Sequence, residues 1–403
     1  MKKILLPLIL LSFGISFSQP ANDDCANSQN ISVLTASETT VDFDDIGSAT
    51  AANDVGCIGS AAEPLLDVWF DFTMPVNGNI FINSGSNVNN FAIYDSCGGG
   101  EIDCFTDDKL VEGLTSGTDY KLRVFRIFGQ GTSGGREFRI QAFETPANDT
   151  CASAENISVT TSSPTNVSFT ITGADIINEE GCSGSTPQEL VDIWYQFTMP
   201  VNGNVFLDGK NSINNFVLYD SCGGTELSCF SGDNLIEGLA TGTTYLLRVV
   251  RTVSLADNGF QNFGIQAFET PSNDDCANAE TISVSTASLT NLNFEIAGAD
   301  IINEVGCSGD TAEELVDIWY QFTMPVNGNI FIDGTSSFNQ FALYDACGGT
   351  ELSCFSGDNL IEGLVSGNTY KLRVFRSKSN ADNTFKNFGI QAFETPSNDD
   401  CAN

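Results

Sequence analysis

The chain has 403 residues, 41% of them apolar, and a formal charge of −36, with 52 Asp and Glu facing 16 Lys and Arg. That length holds two to four ordinary domains, and so acidic a surface repels nucleic-acid phosphates and anionic lipid, so no nucleic-acid partner is expected. Histidine is absent, which excludes Ser-His-Asp and Cys-His nucleophiles, His metal ligands and imidazole acid–base chemistry.

Residues 1–18 read as an export signal. Lys2 and Lys3 make a basic start, Ile4–Phe17 is an apolar run, and "SFSQ" supplies small residues for cleavage near Ser18. The apolar run is too short to cross about 30 Å of hydrocarbon, and no later stretch is longer and apolar, so no membrane span is expected. The mature chain is expected to be secreted or at the cell surface.

After the signal the text repeats. "NDDCAN" stands at 22–27, 273–278 and 398–403, and "NDTC" at 148–151. The cysteines fall as Cys25, Cys57, Cys97 and Cys104; Cys151, Cys182, Cys222 and Cys229; Cys276, Cys307, Cys347 and Cys354; then Cys401. The first Cys of each set lies 125 or 126 residues after the last, a period that marks tandem domains, each large enough for its own core. The expected units are 19–147, 148–272 and 273–397, with 398–403 opening a fourth that the chain does not complete. Four Cys in an exported unit imply two disulfides. Cys97 and Cys104 flank the Gly-rich reversal "GGGEID", which pairs them and leaves Cys25 with Cys57; the other units are expected to follow suit. A zinc site is disfavoured by the lack of C-x-x-C pairs and of His.

Within a unit, short alternating runs are punctuated by Gly, Asn, Asp and Ser. The third unit reads, in order, "TISVSTA", "NLNFEIAG", "LVDIWYQFTM", "NIFIDG", "FALYDA", "NLIEGL", "TYKLRVFR" and "FGIQAFE". That predicts about eight strands and no useful helix, the pattern of a β-sandwich. Asn-Gly in "PVNGN" supplies a turn. Along "VDIWYQF", Ile318, Tyr320 and Phe322 face the core, while Asp317, Trp319 and Gln321 share the other side. Trp69, Trp194 and Trp319 therefore stand as candidate platforms for a sugar ring or a protein contact, unless a neighbouring segment covers them. Six of the cations recur in "LRVFR"-type strands, as Arg123 and Arg126, Arg248 and Arg251, and Arg373 and Arg376, and are expected to pair with carboxylates. The "NDD" clusters gather oxygen donors of the kind calcium takes, although no EF-hand loop is present.

Four stretches carry a family resemblance: "PSNDDCANAETISV" (271–284), "VDIWYQFTMPVNGNIFID" (316–333), "FALYDACGG" (341–349) and "TYKLRVFR" (369–376). On these each unit resembles the bacterial pre-peptidase C-terminal domain and its relatives in secreted Bacteroidetes proteins, which use type IX secretion. The resemblance implies all-β architecture: three tandem jelly-roll-like sandwiches. It also implies a calcium site between the opening Asn-Asp and the Asp leading the aromatic strand. Carried over, the ligands are Asn22, Asp23 and Asp67; Asn148, Asp149 and Asp192; and Asn273, Asp274 and Asp317. The chain departs from the family in that Thr145 and Thr270 precede the Pro, with Glu144 and Glu269 one place earlier, and Gln19 stands there in the first unit.

Near-copies in tandem favour a non-catalytic module for adhesion, binding or spacing, because weak contacts gain from number. The expected partner is an extracellular glycan or protein. The alternative reading makes the units accessories of a secreted protease or glycosidase. Catalysis by carboxylate pairs is a further possibility with an almost empty signal, since 52 acidic residues always furnish some suitable pair.

Overall fold

The computed structural model describes residues 19–396 except 44–45, 55–56, 58–62, 86–88, 129–136, 180–181, 183–186, 211–212, 257–260, 308, 310 and 383–385. The export segment 1–18, Cys401 and the fourth opening at 398–403 lie outside the described residues.

The first repeat contains ten strands: β1 (Gln29–Asn30), β2 (Thr39–Asp42), β3 (Ala52–Asp54), β4 (Glu63–Thr73), β5 (Gly78–Asn83), β6 (Asn90–Tyr94), β7 (Glu101–Phe105), β8 (Lys109–Leu114), β9 (Asp119–Ile127) and β10 (Glu137–Glu144). They form a larger sheet in the order β1-β4-β9-β6-β7, with β3 added on β4, and a smaller sheet in the order β2-β10-β5-β8. Repeats 2 and 3 have the same two sheets. The all-β, three-sandwich expectation therefore holds, with two strands per repeat more than expected. The extra ones are β3 and β7: β3 lies in an Asn/Asp-rich stretch, and β7 follows glycines that read as the end of a turn.

Alternation explains the layers. On β4, Leu66, Val68, Phe70 and Phe72 point inward, and on β10 Phe138, Ile140 and Ala142 do the same; all are buried. Phe138 clamps the sheets together, with its ring 5.4 Å from Phe70 and 5.6 Å from Phe91, both edge-on. In the third repeat Ile318, Tyr320 and Phe322 enter the core as expected. The turn before β5 needs glycine at Gly78, where φ is +147° and a Cβ would come 2.1 Å from the Phe143 carbonyl oxygen.

The disulfides depart from the expected pairing. Cys25 joins Cys97 and Cys57 joins Cys104, with Cα–Cα distances of 5.7 and 5.0 Å. Repeats 2 and 3 follow the same rule: Cys151–Cys222, Cys182–Cys229, Cys276–Cys347 and Cys307–Cys354. The reason is hairpin register. Tyr94 faces Glu101 and Ala92 faces Cys104, so Cys97 sits inside the reversal while Cys104 lies well down the returning strand. One bridge ties the N-terminal segment to the hairpin tip, and the other ties the segment before β4 to β7.

The chain divides into two compact units: Met1–Pro146 with Thr172–Ile176, and Ala147–Ile171 with Ile177–Asn403. The first unit holds repeat 1, and the second holds repeat 3 together with most of repeat 2. No described helix is long and apolar enough to cross a membrane.

Candidate ligand-binding site

The outer face of the larger sheet carries the sequence-nominated residues. Period-2 alternation puts Asp67, Trp69 and Asp71 of β4 on this face. Register sets Trp69 against Arg123 of β9, Arg123 against Ala92 of β6, and Ala92 against Cys104 of β7. The adjacent row runs Asp71, Lys121, Tyr94, Glu101. A small apolar cluster of Leu65, Ala92 and Phe125 lies beside these rows, packed by Cys57, Cys104, Tyr94 and Ile127. The second disulfide thus fastens Cys57 against this cluster.

The tryptophans are half-buried, between the two expectations of open platform and covered core. Trp69 lies 5.5 Å from the Tyr94 ring, and the Arg123 guanidinium stands 5.6 Å from its centroid. Trp194 with Tyr219 and Arg248, and Trp319 with Tyr344 and Arg373, repeat the arrangement. Tyr94 donates its hydroxyl to Glu101 at 3.2 Å, and Tyr344 to Glu351 at 3.1 Å. The two glutamates are exposed at the rim. Tyr94 and Tyr344 are shifted up from the usual phenol value, chiefly by burial.

The arginines fix the platform from below. Arg123 Nε donates to Asp67 at 2.5 Å and its Nη1 to Asp54 at 2.6 Å. Arg373 bridges Asp317 at 2.5 Å and Glu304 at 2.8 Å, while Arg248 bridges Asp192 and Glu179. Burial pushes the Asp67, Asp192 and Asp317 carboxyls up from their ordinary value despite the facing arginine. The expected arginine–carboxylate pairing therefore holds for Arg123, Arg248 and Arg373. The second arginine of each strand turns inward. Arg126, Arg251 and Arg376 each donate Nε to a buried asparagine, Asn89, Asn214 and Asn339, at 2.7–2.9 Å.

The residues nominated for calcium are brought together, but in a hydrogen-bonded arrangement. Asn22, Asn148 and Asn273 each donate Nδ2 to the carbonyl of the platform tryptophan at 2.9–3.0 Å, and their own carbonyls accept its amide. Asp23 Oδ1 accepts the Thr50 amide at 2.7 Å, and Asp274 Oδ1 accepts the Asp300 amide at 3.0 Å. Asp149 is half-buried at the matching place. Asp67, Asp192 and Asp317 are each held by an arginine. Among the described residues no group of three or more acidic or thiol side chains is disposed to hold a metal ion.

Sequence reasoning missed Tyr94, Tyr219 and Tyr344 with Glu101, Glu226 and Glu351. A signal was present: in "FALYD" the Tyr falls out of phase with the core residues Phe341 and Leu343. What the cluster offers is a half-buried aromatic pair, a cation oriented beside it and a carboxylate acceptor at the rim. That combination suits a hydroxylated ring with one apolar face.

No curated protein matches the chain. Solved structures of low similarity include the CUB1-EGF-CUB2 domains of rat MASP-1 (8% identity, 59% of this chain and 100% of that one, TM-score 0.19). They also include tandem CBM51 modules of a family 98 glycoside hydrolase from Streptococcus pneumoniae (8% identity, 57% and 91%, TM-score 0.14). A protein from Eubacterium rectale is similar at the same level (10% identity, 64% and 85%, TM-score 0.19). At such TM-scores these likenesses carry no argument. A family model described as galactose binding domain-like and T9SS-associated matches residues 21–140, 147–265 and 272–390. This supports a Bacteroidetes-type β-sandwich module without singling out the pre-peptidase C-terminal domain, and with six disulfides it points to an extracellular or cell-surface protein. The chain belongs to the T9SS-associated galactose binding domain-like family.

Proposed function

We propose that the chain is a non-catalytic, multivalent carbohydrate-binding module of an exported protein, each repeat using the outer face of its larger sheet. The observation that carries this is the threefold recurrence of one cluster, Trp–Tyr–Arg with a rim Glu, in a chain of galactose binding domain-like repeats. The ligand class is a sugar with an apolar ring face for the indole–phenol pair and hydroxyls for the glutamate. The row beside the tryptophan differs among repeats: Asp71 and Lys121, Gln196 and Leu246, Gln321 and Lys371. Those pairs would tune which neighbouring sugar each repeat accepts. Calcium is not needed in this reading, because the nominated Asp and Asn side chains already have protein partners.

The test is a glycan array carrying galactosides, followed by calorimetry on the hits. Tyr344→Ala and Glu351→Gln, both at the rim, should weaken the third repeat's binding roughly tenfold, on the order of 1–2 kcal/mol, with the fold intact. Trp319→Ala should do the same unless the indole is chiefly packing, in which case the melting temperature falls instead. Binding that ignores all three substitutions removes this face from the reading.

A further inference from the structure

A second surface recurs on the outer face of the smaller sheet, away from the tryptophans. In the first unit Asn79 is fully buried. Its Oδ1 accepts the Gly113 amide at 3.3 Å, which aims Nδ2 outward to the Ala174 carbonyl at 2.8 Å. Glu112 Oε2 accepts the Ile176 amide at 2.6 Å. Gly173 lies so close to β10 that a Cβ there would sit 1.9 Å from the Glu144 carbonyl oxygen.

The second unit shows the same socket filled in the same way. Asn204 takes the Gly238 amide at 3.3 Å and donates to the Ala297 and Ala299 carbonyls at 3.1 and 2.7 Å. Glu237 accepts the Ile301 amide at 2.7 Å, and Gly298 has no room for a Cβ against Glu269. Leu235 and Phe268 of repeat 2 are 2% and 6% exposed, and both belong to the apolar core of repeat 3. The incoming loops read "ITGAD" (171–175) and "IAGAD" (296–300).

Among the described residues, repeat 3 has the socket without the loop. Asn329 Oδ1 accepts the Gly363 amide at 3.3 Å, as in the other repeats. Among the described residues its Nδ2 meets no carbonyl, and Glu362 is exposed. Leu360, the counterpart of Leu235, is 46% exposed, and Phe393, the counterpart of Phe268, is 43% exposed. A formed polar anchor beside two uncovered apolar side chains is an interface lacking its other half.

We propose that Asn329, Leu360, Glu362 and Phe393 form a docking socket for a further domain of this same class, which enters with an Ile-x-Gly-Ala-Asp loop. Continuity with the filled sockets identifies the occupant. Among the described residues, a second copy of this chain offers no free matching loop. Its loops at 171–175 and 296–300 are docked within their own units, and its first-repeat loop reads "IGSAT" (46–50), with Ser48 where the close approach admits only glycine. Residues 395–403 read "TPSNDDCAN", letter for letter the segment at 270–278 that leads into the docked third repeat.

The experiment compares the chain with two extended forms, one continued after Asn403 by a copy of residues 279–397 and one by a copy of residues 154–272, so that one misfolded graft does not decide it. Hydrogen exchange is read over Asn359–Leu364, with Asn234–Leu239 in the same molecule as reference. In an extended form with its new disulfides closed, exchange over 359–364 should slow roughly tenfold or more toward the reference. Gly298→Val made in the appended copy should restore fast exchange there and leave 234–239 protected. Unchanged exchange beside a folded graft, or indifference to that substitution, overturns the proposal. Concentration-dependent dimerisation of the unextended chain with protection of 359–364 also overturns it, in favour of a second copy. Glycan binding lost on Leu360→Asp would make the face a sugar site instead.

Discussion

Asp274 shows how a single carboxyl can report on its surroundings. Burial pushes it up to about 6, helped by the nearby Asp300, Asp317 and Asp275 carboxylates and opposed by the Asp300 amide. The folded state thus holds this proton more tightly than the unfolded chain, whose Asp titrates near 4. Stability from this group is fully present below about pH 4 and is lost as pH rises through about 6. Asp317 is shifted in the same direction by its burial. Melting temperature by calorimetry should therefore fall between pH 4.5 and 7, and Asp274→Asn should flatten part of that slope. Added calcium should leave the profile unchanged. A calcium-dependent rise above pH 6 would mean instead that Asp274 and Asp300 share an ion. Arg376 follows the opposite logic: burial pulls it down to about 10 against Glu295 and Asp382, while Asn339 and the Phe294 ring, 5.2 Å away, hold the guanidinium in place.

At the scale of elements, the two bridges of a repeat close loops of 71 or 72 and of 47 residues. In the chain-entropy model each is worth about 4 kcal/mol, more than a bridge between neighbouring cysteines of one hairpin would give. One fastens the N-terminal opening to the tip of the β6–β7 hairpin, and the other fastens Cys57 to β7. Replacing Cys57 and Cys104 together by Ser should lower stability by up to about that amount. Non-reducing peptide mapping should recover first-with-third and second-with-fourth pairs in every repeat. Recovery of Cys97 linked to Cys104 would contradict the register of β6 and β7.

For the whole molecule, number is the working principle. If each repeat binds sugar as proposed, three copies gain from simultaneous engagement, so apparent affinity for a clustered glycan surface should exceed that for the free sugar by about a hundredfold or more. Surface plasmon resonance at decreasing glycan density should erase that gain, and equal affinity at every density would argue that a single repeat binds alone. A fixed spacing between repeats would add to that gain by limiting the entropy lost on simultaneous engagement. The asparagine-and-glycine junction between repeats 2 and 3, with Leu235 and Phe268 shared between their cores, provides this inside the second unit.

The β-sandwich and its threefold copying were legible because they are local and periodic. Alternation assigned Ile318, Tyr320 and Phe322 to the core, and self-similar text around each cysteine quartet gave the period. The disulfide partners were not legible. They hinge on which residue of the "FAIYDSCGG" hairpin (91–99) occupies the turn, and two residues of register move Cys97 from a strand to a tip. Nor could the sequence show that Asp67, Asp192 and Asp317 face arginines, or that Tyr94 flanks Trp69, since strands distant along the chain supply these neighbours. Composition and repetition by themselves determined what kind of body this chain builds. Only the pairing of remote strands decided which side chains meet, because a face of a sheet is assembled sideways, across hydrogen bonds that linear order does not encode.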